Sequence, residues 1–385
     1  MADNTLTAIQ YKILARGLMS LRKRAIMPRL VNGSYNGEAA QKGAIINVPV
    51  PTGIASAPVV PSNVPPVTGA LTPVTVPIAL NMWQQAAFKL SDKDLIEIDR
   101  NQSFMPMEAE EAVASLANDV NADIMSKYKG IYGATGSAGT APFASTVEGA
   151  TLSRKILNLQ RCPRDSRRMV MDYESEANAL ALAQFADLEK TGDPAVKIEG
   201  EIGRKYGFDM YTDDDVPLHT AGAPGAGPIR VDNGAGYPAG TTALHIDGLT
   251  VTTGTLKEGD IVTFAGDDQT YVVTADKTAD GSGDVDLTIA PGLKIGVAND
   301  VVITHVLSHV VNLAFHRDAF AVAVRPLENS ILDAKLANIT SLTDPQTGLS
   351  MRLELTREHK QWVWRYDILW GSGLVRPELA CRILG

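Results

Sequence analysis

The chain has 385 residues, enough for two or three domains with cores of their own. It is 45% hydrophobic and 21% charged with a net charge of −9, a soluble globular composition that argues against a protein whose main task is gripping nucleic acid. Its two cysteines, Cys162 and Cys381, are far apart, fit a reducing compartment and offer no disulfide framework.

Charge is placed unevenly. Residues 1–37 hold six basic side chains against Asp3 alone, whereas 222–306 hold four basic and eleven acidic residues. The first stretch contains an expected amphipathic helix at 4–26, with Leu6, Ile9, Ile13, Leu14, Leu18 and Leu21 at helical spacing and a stop before Pro28. It lacks the continuous apolar run of a signal peptide. Docking on its own domain, contact with an acidic partner or packaged nucleic acid, and a membrane-surface helix are the open readings of this segment.

From Gly43 to Phe88 the chain runs 46 residues without a charged side chain or histidine, and eight of them are proline. The prolines forbid a helix, and they leave no apolar run of about 20 residues for a membrane span. An extended arm rich in β-branched residues remains, one that would reach roughly 70 Å when folded back on itself. An arm that long is expected to find its cover on a neighbouring subunit.

The clearest predicted helix runs from Pro106 to Lys129. Glu108, Glu110 and Glu111 complement its positive end, Lys127 and Lys129 its negative end, and Gly130 ends it. Val113, Leu116, Val120, Ile124 and Tyr128 form one apolar stripe. The glycines at 130, 133, 136 and 139 match neither a phosphate loop nor a dinucleotide fingerprint, so a flexible loop is expected there. A helix at 151–159, a strand at 167–171, a helix at 175–189 and a turn into a strand at 203–211 follow. Asp213, Asp214 and Asp215 lack the alternating spacing of a calcium loop and read as an exposed turn.

Between 222 and 306, short β-type runs at 243–246, 261–264, 271–274, 285–289 and 301–304 are separated by Gly/Asp turns, the pattern of a small barrel or sandwich. Residues 310–324 read as buried strand. Met351, Leu353 and Leu355, then Trp362, Trp364, Tyr366 and Ile368, alternate with polar or smaller residues, which predicts a hairpin packed on the long helix. His305 and His309 are expected to be structural, since no third ligand accompanies them. Asp165-Ser166 and His316-Arg317-Asp318 are polar clusters without the mutual support of a triad. No catalytic, cofactor-binding or metal-binding set emerges, and no enzyme activity is expected.

Three stretches resemble one family. Gly203-Arg-Lys-Tyr-Gly-Phe-Asp-Met-Tyr211, Leu313-Ala-Phe-His-Arg-Asp-Ala-Phe320 and the ending Tyr366-Asp-Ile-Leu-Trp-Gly371 through Arg376-Pro-Glu-Leu379 are similar to segments of tailed-phage major capsid (coat) proteins. Gly254–Gly266 and Tyr271–Asp276 resemble the inserted β-domain of the P-twenty-two type of coat protein. The resemblance implies an α+β fold of the Hong Kong 97 type. In that scheme 1–42 are an N-terminal arm and 43–90 an extended β-hairpin loop. Residues 91–165 and 351–385 form a peripheral domain with its spine helix and closing strands. Residues 166–221 and 307–350 form an axial domain, and 222–306 an inserted small β-barrel.

The function so implied is self-assembly into hexamers and pentamers of an icosahedral shell enclosing double-stranded DNA. The virion would be its location, after assembly in the host cytoplasm. Implied partners are copies of itself, a separate scaffolding protein, a portal protein, a decoration protein, and packaged DNA through weak non-specific contacts, with no membrane. The loop has no lysine between 43 and 88, so a loop-borne lysine cross-link is not expected. The acid-rich inserted domain is expected to face away from the DNA. The alternatives are a nanocompartment shell of the same fold around protein cargo, or a glycan-binding surface protein.

Overall fold

The computed structural model describes residues 25–35, 45–51, 59, 61, 74–92, 107–186, 202–325, 338–343 and 348–385. Residues 4–24 of the expected N-terminal helix and most of the tip of the uncharged tract lie outside them.

The long helix runs from Met107 to Ser126, about 30 Å, and tightens into a 3₁₀ turn at Lys127–Gly130. Its apolar stripe lies where the spacing put it: Val113, Leu116, Val120, Ile124 and Tyr128 are all buried in the main core. The partner surface is one face of a five-stranded antiparallel sheet. In that sheet Phe320–Val324, Gln361–Leu374, Ser350–Glu358 and Asn338–Thr343 lie side by side, and Met82–Ser91 pairs with the other side of Gln361–Leu374. The expected hairpin is present with Leu355 opposite Trp364 and Leu353 opposite Tyr366. Trp364, Tyr366, Ile368 and Trp370 fill the space beneath the helix. The indole of Trp370 and the hydroxyl of Ser372 both donate to Asp123 of the helix, at 3.0 and 2.7 Å.

A second, seven-stranded sheet is ordered Ala134–Gly136, Ala380–Leu384, His309–His316, Arg167–Met171, Phe208–Thr212, Arg204–Lys205, with Leu218–His219 also against His309–His316. The helix Glu148–Leu159 packs on it. A helix starts at Tyr173, capped by Asp172, and breaks at Leu182 before a short turn at Ala183–Ala186, so the single helix expected at 175–189 is two pieces over its described part.

Two segments divide between the sheets. The apolar run at 310–324 was expected as one unit, yet the 3₁₀ turn Arg317–Ala319 carries the chain from the seven-stranded sheet to the five-stranded one. The terminal segment expected whole beside the long helix also divides, because Ala380–Leu384 joins the seven-stranded sheet. His309–His316, Phe320–Val324 and Ala380–Leu384 are buried on two faces, so their side chains report burial without reporting which sheet they enter.

Residues 229–305 build a closed barrel, ordered Ala243–Asp247, Val285–Ala290, Thr270–Val273, Ile261–Phe264, Val302–His305, Ile229–Val231. All five strands expected here are present within a residue or two. The strand Ile229–Val231 and the ribbon Thr255–Leu256 with Lys277–Thr278 were too short to show a period. The barrel has its own core, including Phe264, Tyr271, Leu287 and Ile303.

The uncharged tract begins and ends as a two-stranded ribbon, Ile45–Val50 against Val74–Ala79, with Val50 opposite Val74. This root does not await a neighbour. Ile46, Val48 and Ile78 are buried against Ala321, Ala323 and Val375 of the same chain, on the face of the five-stranded sheet away from the long helix. The tract also gives up its last part, since Met82–Ser91 is a full strand of that sheet.

Candidate functional site

The outer face of the ribbon is uncharged and open: it carries Ile45, 57% exposed, with Asn47, Pro49, Thr75, Pro77 and Ala79, and beyond the root Val59 is 93% exposed. Gly371 lets the ribbon lie down: a Cβ there would come within 2.3 Å of the Ala79 carbonyl oxygen. One face of the ribbon is therefore spent on its own sheet, while the other presents uncharged side chains to whatever lies outside the chain.

The described end of the N-terminal segment is woven into the body. The Met27 amide donates to Asn121 Oδ1 of the long helix, and Asn121 Nδ2 donates to both oxygens of Asp213 and to Asp215. Arg168 donates to the Leu30 carbonyl and Arg317 to that of Val31. Asp213 is buried here, which corrects the exposure expected of it, while Asp214 and Asp215 form the expected turn with Asp214 exposed. Burial raises its carboxyl, against hydrogen bonds from the Asp215 amide and Asn121. His316-Arg317-Asp318 serves the same seam: the Asp318 amide donates to His316 Nδ1, and Asn32 donates to the Asp318 carboxylate. Asp165-Ser166 lies in an exposed loop, where the Ser166 carbonyl accepts from the Arg317 amide.

The barrel is joined to the body by a buried polar junction that sequence reasoning saw only in fragments. Asp260, fully buried, accepts from His219 Nε2 at 2.8 Å and His305 Nε2 at 2.9 Å. It also accepts from the backbone amides of Gly222 and Lys257. A carboxylate only accepts, so both imidazoles carry their Nε2 proton toward it. Burial alone would raise the Asp260 carboxyl, but the bonds from His219, His305 and Lys257 overcome it and hold it well below the usual range. The hydroxyl of Tyr128 lies 2.9 Å from His219 Nδ1.

Arg382, also fully buried, lies over the Tyr128 ring at 5.1 Å and donates to the carbonyls of Gly259 and Lys129. Burial lowers its guanidinium to about 9. His309 sits 5.3 Å from the His219 ring and bonds the Leu307 carbonyl through Nδ1. Its Nε2 is buried without a partner among the described residues. Burial lowers this imidazole to about 4.

His305 and His309 thus do not share a ligand, and each has a structural role. The Asp260–His219–Tyr128 chain has the connectivity of a proton relay, but all three side chains are buried and no substrate could reach them. Among the described residues no group of three or more His, Cys, Asp or Glu is placed to hold a metal ion. The glycine segment after the long helix is not a plain loop either. Ala134–Gly136 is a strand parallel to the last one, and Gly136, at φ +95°, would place a Cβ 2.7 Å from the Leu384 carbonyl oxygen.

No family model matches the chain, and no curated protein does. Across nearly its full length the chain is similar in structure to solved chains from phages and from a virus-like particle. A structure from Mycobacterium phage Che8 covers 94% of this chain and 91% of its own, at 16% identity and a TM-score of 0.48. The capsid of the cyanophage P-SCSP1u covers 89% and 84%, at 11% identity and a TM-score of 0.46. A virus-like particle from Pyrococcus furiosus covers 97% and 98%, at 10% identity and a TM-score of 0.43.

Proposed function

We propose that this chain is a shell-forming capsid protein of the Hong Kong 97 type, the major coat protein of a tailed phage. Its copies would form hexamers and pentamers of an icosahedral shell around double-stranded DNA. The observation that carries this reading is the uncharged ribbon. Its root is anchored on its own sheet, its outer face is open and uncharged, and its sequence continues well beyond the anchored part. A monomer gains nothing from such an arm, whereas in a shell each arm laid over a neighbour adds a contact made within the assembly.

In this reading the long helix and five-stranded sheet form the peripheral domain, the seven-stranded sheet the axial domain, and the barrel an inserted domain facing outward. A separate scaffolding protein and a portal complete assembly, and the basic N-terminal segment meets the scaffold. The test is electron microscopy of the purified protein together with its nuclease-resistant content. Closed shells, filled with protected double-stranded DNA when isolated from infected cells, are the expected result. Closed shells that hold only protein would assign it to a nanocompartment, and a monomer under all assembly conditions would end the shell reading.

A further inference from the structure

We propose that a second surface, at the end of the seven-stranded sheet where Arg167–Met171 begins, binds the phosphate backbone of double-stranded DNA. The proposal rests on the shell reading and names the face turned toward the packaged polymer. Three segments meet there. The helix Glu148–Leu159 supplies Arg154 and Lys155, the loop after it Arg161 and Arg164, and the edge ribbon Arg204 and Lys205. Arg154 donates to the Tyr206 carbonyl at 3.0 Å, which holds the ribbon turn beside the helix. Arg167 is buried and pins the loop from beneath. Its guanidinium donates to Pro163 O, Cys162 O and Asn158 Oδ1 at 2.6, 2.7 and 2.9 Å.

The six cations are thus displayed on a fixed base, and five of them are exposed. Among the described residues, the patch also holds the carboxylates Asp165 and Asp209, and Asp209 faces Arg204 at 3.6 Å. A shallow cleft beside the patch is lined by Thr151, Arg154, Lys155, Asn158 and Leu159. Four of the six cations are arginine, whose planar fork matches two phosphate oxygens at once. The net charge of −9 does not oppose this, because the acid excess sits in 222–306 and the local field of the patch is basic.

The experiment uses the full-length chain, as subunits and as assembled particles, with a short mixed-sequence DNA duplex across a salt series. If four of the six cations reach phosphates, log K should fall against log salt with a slope of about −3.6. Lys155→Glu/Arg161→Glu/Arg164→Glu leaves Arg154 and its bond in place. It should still fold and assemble, bind about tenfold or more weakly at low salt, and flatten the slope by about 2.7. Arg22→Gln/Lys23→Gln/Arg24→Gln removes cations from the N-terminal segment and should leave that patch contribution intact.

Unchanged affinity and slope in the first variant, with shells still forming, would overturn the proposal while leaving the shell reading standing. So would loss of binding in the second variant alone. Displacement of the duplex by polyglutamate at matched charge, as effective as by competing DNA, would also overturn it by assigning the surface to an acidic protein.

Discussion

Asp260 shows how much of one chain's architecture can hang on one side chain. It collects hydrogen bonds from the sheet residue His219, from Gly222 just beyond it, from the barrel strand residue His305 and from the turn at Lys257. Asp260→Ala leaves those donors buried and unmatched, so a loss of about 3–5 kcal/mol is expected, read by urea denaturation. An effect under about 1 kcal/mol would mean that water reaches the junction. The pH response follows from His309. The folded chain holds its imidazole at about 4, whereas the unfolded chain takes up that proton near 6.5. Between these values the unfolded state binds more protons, so stability falls as pH falls. Asp260, held low in the fold, adds a further loss below about 3.9. The urea midpoint should therefore decline from pH 6.5 to 4, and His309→Phe should flatten that part of the profile. The sequence showed these residues only as scattered single letters. Tyr128, His219, Asp260 and Arg382 span more than 250 positions, and nothing in a single sequence pairs a histidine with a distant aspartate.

At the scale of elements, period was the readable signal and contact was not. The helix stripe from Val113 to Tyr128, the alternation through Trp364 and Trp370, and the turn-punctuated barrel strands all follow from burying one face per element. Close approach left a weaker trace. Gly371 lies on the face of its strand opposite Trp364 and Trp370, and it is where the ribbon root lies against the sheet. Gly371→Ala would press a methyl group onto the Ala79 carbonyl, a rigid backbone atom. It should cost about 1–3 kcal/mol in overall stability, seen as a lowered thermal midpoint. Gly373→Ala is the control, because its nearest neighbour is the Ile78 side chain at 3.2 Å, which can shift. Equal losses in the two variants would show that the ribbon is not seated as tightly as the geometry requires. The same argument explains why the glycines after the long helix misled. Composition suggests flexibility, whereas Gly136 is a strand residue wedged against the last carbonyls of the chain.

For the whole molecule, the separation between anchored root and free flank decides function. The absence of charge over 46 residues raised the expectation that the tract is covered, but not that its root is covered at home. That distinction needed the register Val50 to Val74 and the packing of Ile46, Val48 and Ile78 on Ala321 and Ala323. It also sharpens the test of assembly. Replacing residues 51–73 with a two-residue Asn-Gly turn retains both root strands and joins Val50 to Val74 by a connection suited to paired antiparallel strands. The root buries its apolar side chains within the subunit, so the shortened chain should fold with a thermal midpoint close to that of the parent. It should also keep the same far-ultraviolet circular dichroism per residue over the remaining elements. Each subunit would lose one arm, and the contacts of a closed shell are many and individually weak, so the assembly threshold should rise by orders of magnitude in protein concentration. Sedimentation and electron microscopy across a concentration series measure that threshold. Closed shells at the parent's concentration would show that the tract is dispensable for assembly, whereas loss of the folded subunit would show that its tip supports the fold.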